Sequence, residues 1–155
     1  MKVAEALAER SDAVRRVEQL RTRIVGSARY QEGEKPAEDA ASLLVEVGVV
    51  LDELEALIRQ INRTNATAQI ESGGTVTDAL ARRDTLRLRH AVVTAAADAA
   101  SGRQGGANRQ LRSELKMFTA LPVAQLRAEA DGLARELREL DVRIQRSNWE
   151  VELLD

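Results

Sequence analysis

The chain is poor in the residues that most often carry chemistry. It has no cysteine, one histidine (His90) and three aromatic residues, Tyr30, Phe118 and Trp149, in 155 positions. The absence of cysteine excludes disulfides, zinc ribbons, iron–sulfur clusters and thiol chemistry together. A single histidine excludes paired Glu-x-x-His di-metal motifs and most zinc hydrolase sites. Three aromatics leave the core to Leu, Ile, Val and Ala, which favours helices over a sandwich or barrel. Long apolar runs are also absent. The N-terminus, MKVAEALAERSDAVRR, carries a charge every few residues, where a signal peptide needs an unbroken apolar region of about 7–15 residues. The longest uncharged stretch, from Met117 to Leu126, contains Thr, Pro and Gln, far short of the roughly 20 apolar residues of a membrane span. The expected compartment is therefore the cytoplasm.

What is present is charge and aliphatic periodicity. Acidic residues number 25 and basic ones 23, a net charge of -2, with 31% of residues charged and 44% hydrophobic. This is a globular balance at a length suited to a single domain, 1–155. Four periodic segments predict four helices, at about 2–28, 37–68, 78–100 and 123–153. In the first, Val3, Leu7, Val14, Val17, Leu20 and Ile24 recur at helical spacing. In the second, Leu44, Val47, Leu51, Leu54, Ile58, Ile61 and Asn65 alternate steps of three and four, and Leu43, Val50 and Leu57 add a second apolar face. The third is less regular, with Leu80, Leu86, Val93 and Ala97 as its stripe. The fourth has the cleanest seam: Leu126, Ala130, Leu133, Leu137, Leu140, Ile144, Ser147 and Val151. Such seams are those of coiled coils.

The connections have their own signals. Tyr30 to Pro36 is a polar loop. Ile70-Glu-Ser-Gly-Gly-Thr-Val76 reads as a glycine turn able to close a very short hairpin, and Thr75-Val-Thr-Asp78 fits a capping box, with Thr77 as the alternative cap. Leu111, Ser113, Leu115, Met117 and Thr119 alternate with polar neighbours and predict a short extended segment near 111–120. The expected fold is all-α: long antiparallel helices in a four-helix, coiled-coil-like bundle. Two seams and a helix with two apolar faces exceed what one four-helix layer covers, so the expected partner is the chain itself, as a homo-oligomer.

Polar residues near the helix ends form the candidate site. Asn62, Asn65, Arg83, Asp84, Asn148 and Trp149 would meet near one level if the helix pairs are antiparallel. They would form either a polar lock that fixes helix register or a small pocket for an anion or polar ligand, because a buried charge requires a partner. No nucleophile–base pair is evident. The helical neighbours of His90 at three and four residues are Leu86, Arg87, Val93 and Thr94, so no carboxylate on its own helix orients it. No catalytic residue, metal or cofactor is expected. Charge is uneven: Glu32 to Glu55 holds eight acids and Lys35, while Arg82 to Lys116 holds eight basic residues and three acids. These blocks can attract one another in an oligomer. The basic block lacks aromatics for stacking and any nucleic-acid motif, so nucleic acid is not an expected partner.

The runs Ile61-Asn-Arg-Thr-Asn65, Gly74-Thr-Val-Thr-Asp-Ala-Leu-Ala-Arg-Arg-Asp84 and Glu139-Leu-Asp-x-x-Ile-Gln-x-x-Asn-Trp149, with the opening Lys2-Val-Ala-Glu-Ala-Leu-Ala-Glu-Arg10, resemble the small bacterial septicolysin-like proteins. Ser113-Glu-Leu-Lys116 also follows that pattern, although the family's next position is often aromatic and here is Met117. The resemblance carries over no catalytic or binding residues. Its label implies a cytolysin, and a pore former needs a lipid-facing apolar surface, whereas these helices carry a charge every few residues. A non-enzymatic structural or interaction scaffold is the leading expectation. A membrane-active protein and a small-ligand binder are the alternatives.

Overall fold

The computed structural model describes residues 1–71, 73–102 and 115–155. Among them the protein is all-helical, with α1 at Val3–Ser27, α2 at Ala40–Thr67, α3 at Val76–Ala100 and α4 at Val123–Glu150. The chain forms two compact units, Met1–Gln69 with Gln145–Asp155, and Ile70–Ile144. The helix α4 begins in the second unit, and its last turns belong to the first.

In the first unit α1 and α2 form an antiparallel hairpin. Residues advancing along α1 meet residues receding along α2: Arg16 pairs with Glu46 at 2.9 Å and Arg23 with Glu38 at 2.5 Å. Leu20, Leu43 and Val50 form its buried cluster, with Ala13, Val17, Ile24 and Val47 packed against it. Removing the Leu20, Leu43 and Val50 side chains from water contributes about 1.5–3 kcal/mol each. The helix α2 starts at Ala40 because the Asp39 carboxylate accepts the N–H groups of Ala41 and Ser42 at 3.1 and 3.3 Å. That cap lies three residues past Pro36, which accounts for the later start than the sequence predicts.

The end of the chain is stitched to its beginning within this unit. Val3 N–H donates to Val151 O at 3.1 Å and Leu153 N–H to Met1 O at 2.8 Å, making an isolated antiparallel bridge between Lys2 and Glu152. The Lys2 ammonium adds an ion pair to Glu152 at 2.7 Å and a hydrogen bond to Glu150 O at 2.9 Å. The helical pattern predicted to reach residue 153 stops at Glu150: Val151 N–H still donates to Ser147 O at 2.9 Å, but the Val151 carbonyl and the Leu153 N–H turn to the bridge.

In the second unit α3 and the first part of α4 also run antiparallel. Arg82 pairs with Glu136, while Asp98, farther along α3, accepts from Arg127 at 2.6 Å. Ile70, Ala79, Leu86, Leu133, Leu140 and Ile144 form the core, joined by Leu80, Val93 and Leu137. The part of the α4 seam in this unit is thus the core face: Ala130, Leu133, Leu140 and Ile144 are all buried.

The turn before α3 follows its chemistry. Gly73 and Gly74 have φ of 85° and 82°, a region glycine enters without strain. Ile70 N–H donates to Gly74 O at 3.1 Å and Gly73 N–H to Ile70 O at 2.9 Å. Thr75, rather than Thr77, caps the helix, so α3 starts two residues earlier than predicted. Residues 115–120 contain no strand, while 111–114 of the expected extended segment lie outside the described residues. Alternation alone does not make a strand where the backbone finds no ladder partner.

Candidate functional site

Of the six residues expected in the polar cluster, Arg83 and Asp84 belong to the second unit and Asn62, Asn65, Asn148 and Trp149 to the first. Arg83 sits in the first third of α3 with its side chain 24% exposed. Its Nε lies 3.6 Å from Asp84 Oδ1, and its Nη1 lies 3.9 Å from Asp141 Oδ1 on α4. Arg87, one turn farther on, reaches Asp141 at 3.8 Å and Asp84 at 4.0 Å. Two guanidinium groups and two carboxylates thus form a charge-balanced group on the α3–α4 hairpin. These separations are ion-pair distances, longer than hydrogen bonds, and the buried Arg83 Nε has no hydrogen-bond partner. The group is electrostatic and loosely bonded, so its partly exposed members contribute little to stability.

In the first unit Asn148 is buried, Asn65 is half-buried, Asn62 is exposed and Trp149 is 64% exposed. The group that does connect elements there is Thr64. It is buried, its hydroxyl donates to Gln60 O at 2.8 Å, and the same oxygen accepts Leu154 N–H at 2.9 Å. Its neighbour Arg63 reaches Asp155 O at 3.3 Å. Thr64, a neighbour of the candidates Asn62 and Asn65, and Asp141 make these connections although neither is among the six candidate residues. Asp141 lies in the Glu139-to-Trp149 run, one turn before the seam residue Ile144, which was the available signal. Thr64 lies inside Ile61-to-Asn65 but offers only a hydroxyl, a weak mark in sequence.

Ionic positions elsewhere are set by local partners. The Arg23 guanidinium, hydrogen-bonded to Glu38, holds that carboxyl below the usual glutamate range and is itself raised. Hydrogen bonds from the Thr75 backbone N–H and hydroxyl lower Asp78, and the Lys2 ammonium together with the N-terminal ammonium lowers Glu152. Among the described residues no group of three or more His, Asp or Glu residues is placed to hold a metal ion. His90 is half-buried on α3. No helix of the described residues is long and apolar enough to cross a membrane.

No curated protein matches the chain. Its fold is similar to the crystal structure of a functionally unknown conserved protein from Corynebacterium diphtheriae, with 39% sequence identity, 99% of each chain covered and a TM-score of 0.89. Residues 10–153 match a family described as of unknown function, DUF6847. The chain belongs to that family.

Proposed function

We propose that the protein is a non-enzymatic helical scaffold of the cytoplasm that assembles with copies of itself. One observation carries the reading. On α2, the residues turned into the hairpin are Leu43, Val50 and Ile61, while Leu44, Leu51 and Ile58 stay 57%, 45% and 36% exposed. These three stand seven residues apart, the spacing of one position of a heptad, so they form a continuous aliphatic stripe along the helix. Val45 and Val49, also exposed, extend apolar surface around the same helix. An apolar surface of this regularity is characteristic of an interaction face rather than of solvated helix. Polar positions such as Asn65 and the Arg83–Asp141 group then fix register instead of performing chemistry. Sedimentation equilibrium over a micromolar concentration range tests the reading. Mass above the monomer is expected, and a monomeric mass throughout would overturn it.

The septicolysin-like, membrane-active reading has a separate observation in its favour. Leu115, Met117 and Phe118 are 82%, 76% and 85% exposed, which gives the loop before α4 the apolar side chains that enter a bilayer interface. Dye release from anionic and zwitterionic vesicles distinguishes the two. The scaffold reading requires no leakage.

A further inference from the structure

Leu88 and Val92, both 68% exposed, stand on the outward side of α3. With the exposed Ala81, Thr85, Ala95 and Ala99 they recur in steps of four, three, four, three and four. That is a heptad seam along the whole helix, on a different face from the core residues Leu86 and Ala97. The chain therefore carries two open aliphatic stripes, Leu44–Leu51–Ile58 on α2 and this one on α3.

Charge decides how the stripes pair. Asp52 follows Leu51 and Arg89 follows Leu88; both are exposed, and neither has an ion pair among the described residues. Antiparallel pairing of α2 with its own copy about Leu51 sets Asp52 within one turn of its counterpart. The same pairing of α3 about His90 sets Arg89 within one turn of its counterpart. Like charges so placed oppose both arrangements. Pairing α2 with α3 removes the conflict. When Leu51 sits between Leu88 and Val92 of an antiparallel α3, Asp52 falls opposite Arg89. The same register seats Leu44 between Ala95 and Ala99, and Ile58 between Ala81 and Thr85. Large aliphatic knobs thus meet holes walled by small side chains. Arg59 and Arg82 also face each other, but Glu55 neutralises the first and Glu136 the second.

We propose that the exposed stripe of α2 packs antiparallel against the exposed seam of α3 in a second copy of the chain. Each copy carries both surfaces, so the contact recurs and closes in a symmetric assembly. The proposal rests on self-assembly through α2 and names the surface that α2 meets.

The chain has no cysteine of its own, so single cysteines report on the contact. Leu51→Cys and Leu88→Cys, both at exposed positions, are equilibrated together and oxidised. A covalent dimer should form in the mixture and in neither variant alone. A dimer from Leu51→Cys alone means that α2 meets α2, which overturns this pairing and leaves self-assembly through α2 standing. So does an oligomeric wild type that gives no cross-link in the mixture. A monomeric wild type in sedimentation overturns both readings. An internal disulfide in a monomer of the Leu51→Cys, Leu88→Cys double variant places the contact within one chain and overturns the proposal. As a second measurement, Asp52→Arg and Arg89→Asp should each weaken association several-fold, and the double exchange should restore it. A double variant as weak as the single ones overturns the pairing of these two residues.

Discussion

The hydroxyl oxygen of Thr64 accepts the backbone N–H of Leu154 at 2.9 Å, ninety residues away in sequence, while its proton goes to Gln60 O one turn back on α2. One small side chain therefore satisfies a backbone donor of the C-terminal tail and holds that tail against α2. Replacement by valine keeps the shape but removes the acceptor. Thr64→Val should destabilise the protein by about 0.5–1.5 kcal/mol, the net worth of one hydrogen bond whose donor on Leu154 lies at a partly exposed position. Thr64→Ser should retain most of the stability. Urea denaturation measures both, and hydrogen exchange at Leu154 should quicken in the valine variant alone.

Acid should weaken the protein through three carboxylates. Asp78 is held below its ordinary value by Thr75, Glu38 by Arg23, and Glu152 by Lys2 and the N-terminal ammonium. A carboxylate depressed in the folded state binds fewer protons folded than unfolded. Its stabilisation is therefore full above the ordinary carboxyl range of about 4 and is lost as pH falls through the lowered folded value. Melting temperature should decline below about pH 4.5 in the wild type. The decline should be shallower in Asp78→Asn. An identical acid limb in the two proteins would rule out a contribution from the capping box.

Glycine substitutions should separate by conformation. Gly74 has φ of 82°, and a Cβ there would stand 3.1 Å from Asp78 Oδ2, which accepts the Thr75 N–H in the capping box of α3. Gly74→Ala should cost about 1 kcal/mol or more from backbone strain, with added loss at the cap. Gly132 lies in α4, and a Cβ added there would meet nothing within 4 Å. Gly132→Ala should stabilise by about 0.5–1 kcal/mol, because alanine loses less entropy in a helix. Calorimetry on the two variants should show shifts of opposite sign.

The helices were legible in the sequence where apolar spacing and capping chemistry agree. On α4 one aliphatic seam faces an otherwise polar helix, so Leu133, Leu140 and Ile144 had one place to go. On α2 two faces are aliphatic, and periodicity alone does not rank them. The hairpin buries the Leu43–Val50 face and leaves the Leu44–Leu51–Ile58 face exposed. The choice is made by the side chains of α1, Ala13, Val17 and Leu20, which the pattern of α2 does not contain. The capping box at Thr75 was readable because it is local. The pairing of Arg83 with Asp141 was not, because it depends on the register of α3 against α4.

Self-association through α2 is tested most directly by light scattering on the wild type and Leu51→Glu at equal micromolar concentration. Leu51 sits midway along the exposed stripe and is 45% exposed, so a charge there leaves the hairpin core intact while placing an unpaired carboxylate in any apolar interface. The wild type should have an oligomeric mass and the variant a monomeric mass, with unchanged helical circular dichroism. A monomeric wild type, or an oligomer of the same mass in Leu51→Glu, would contradict assembly through this face.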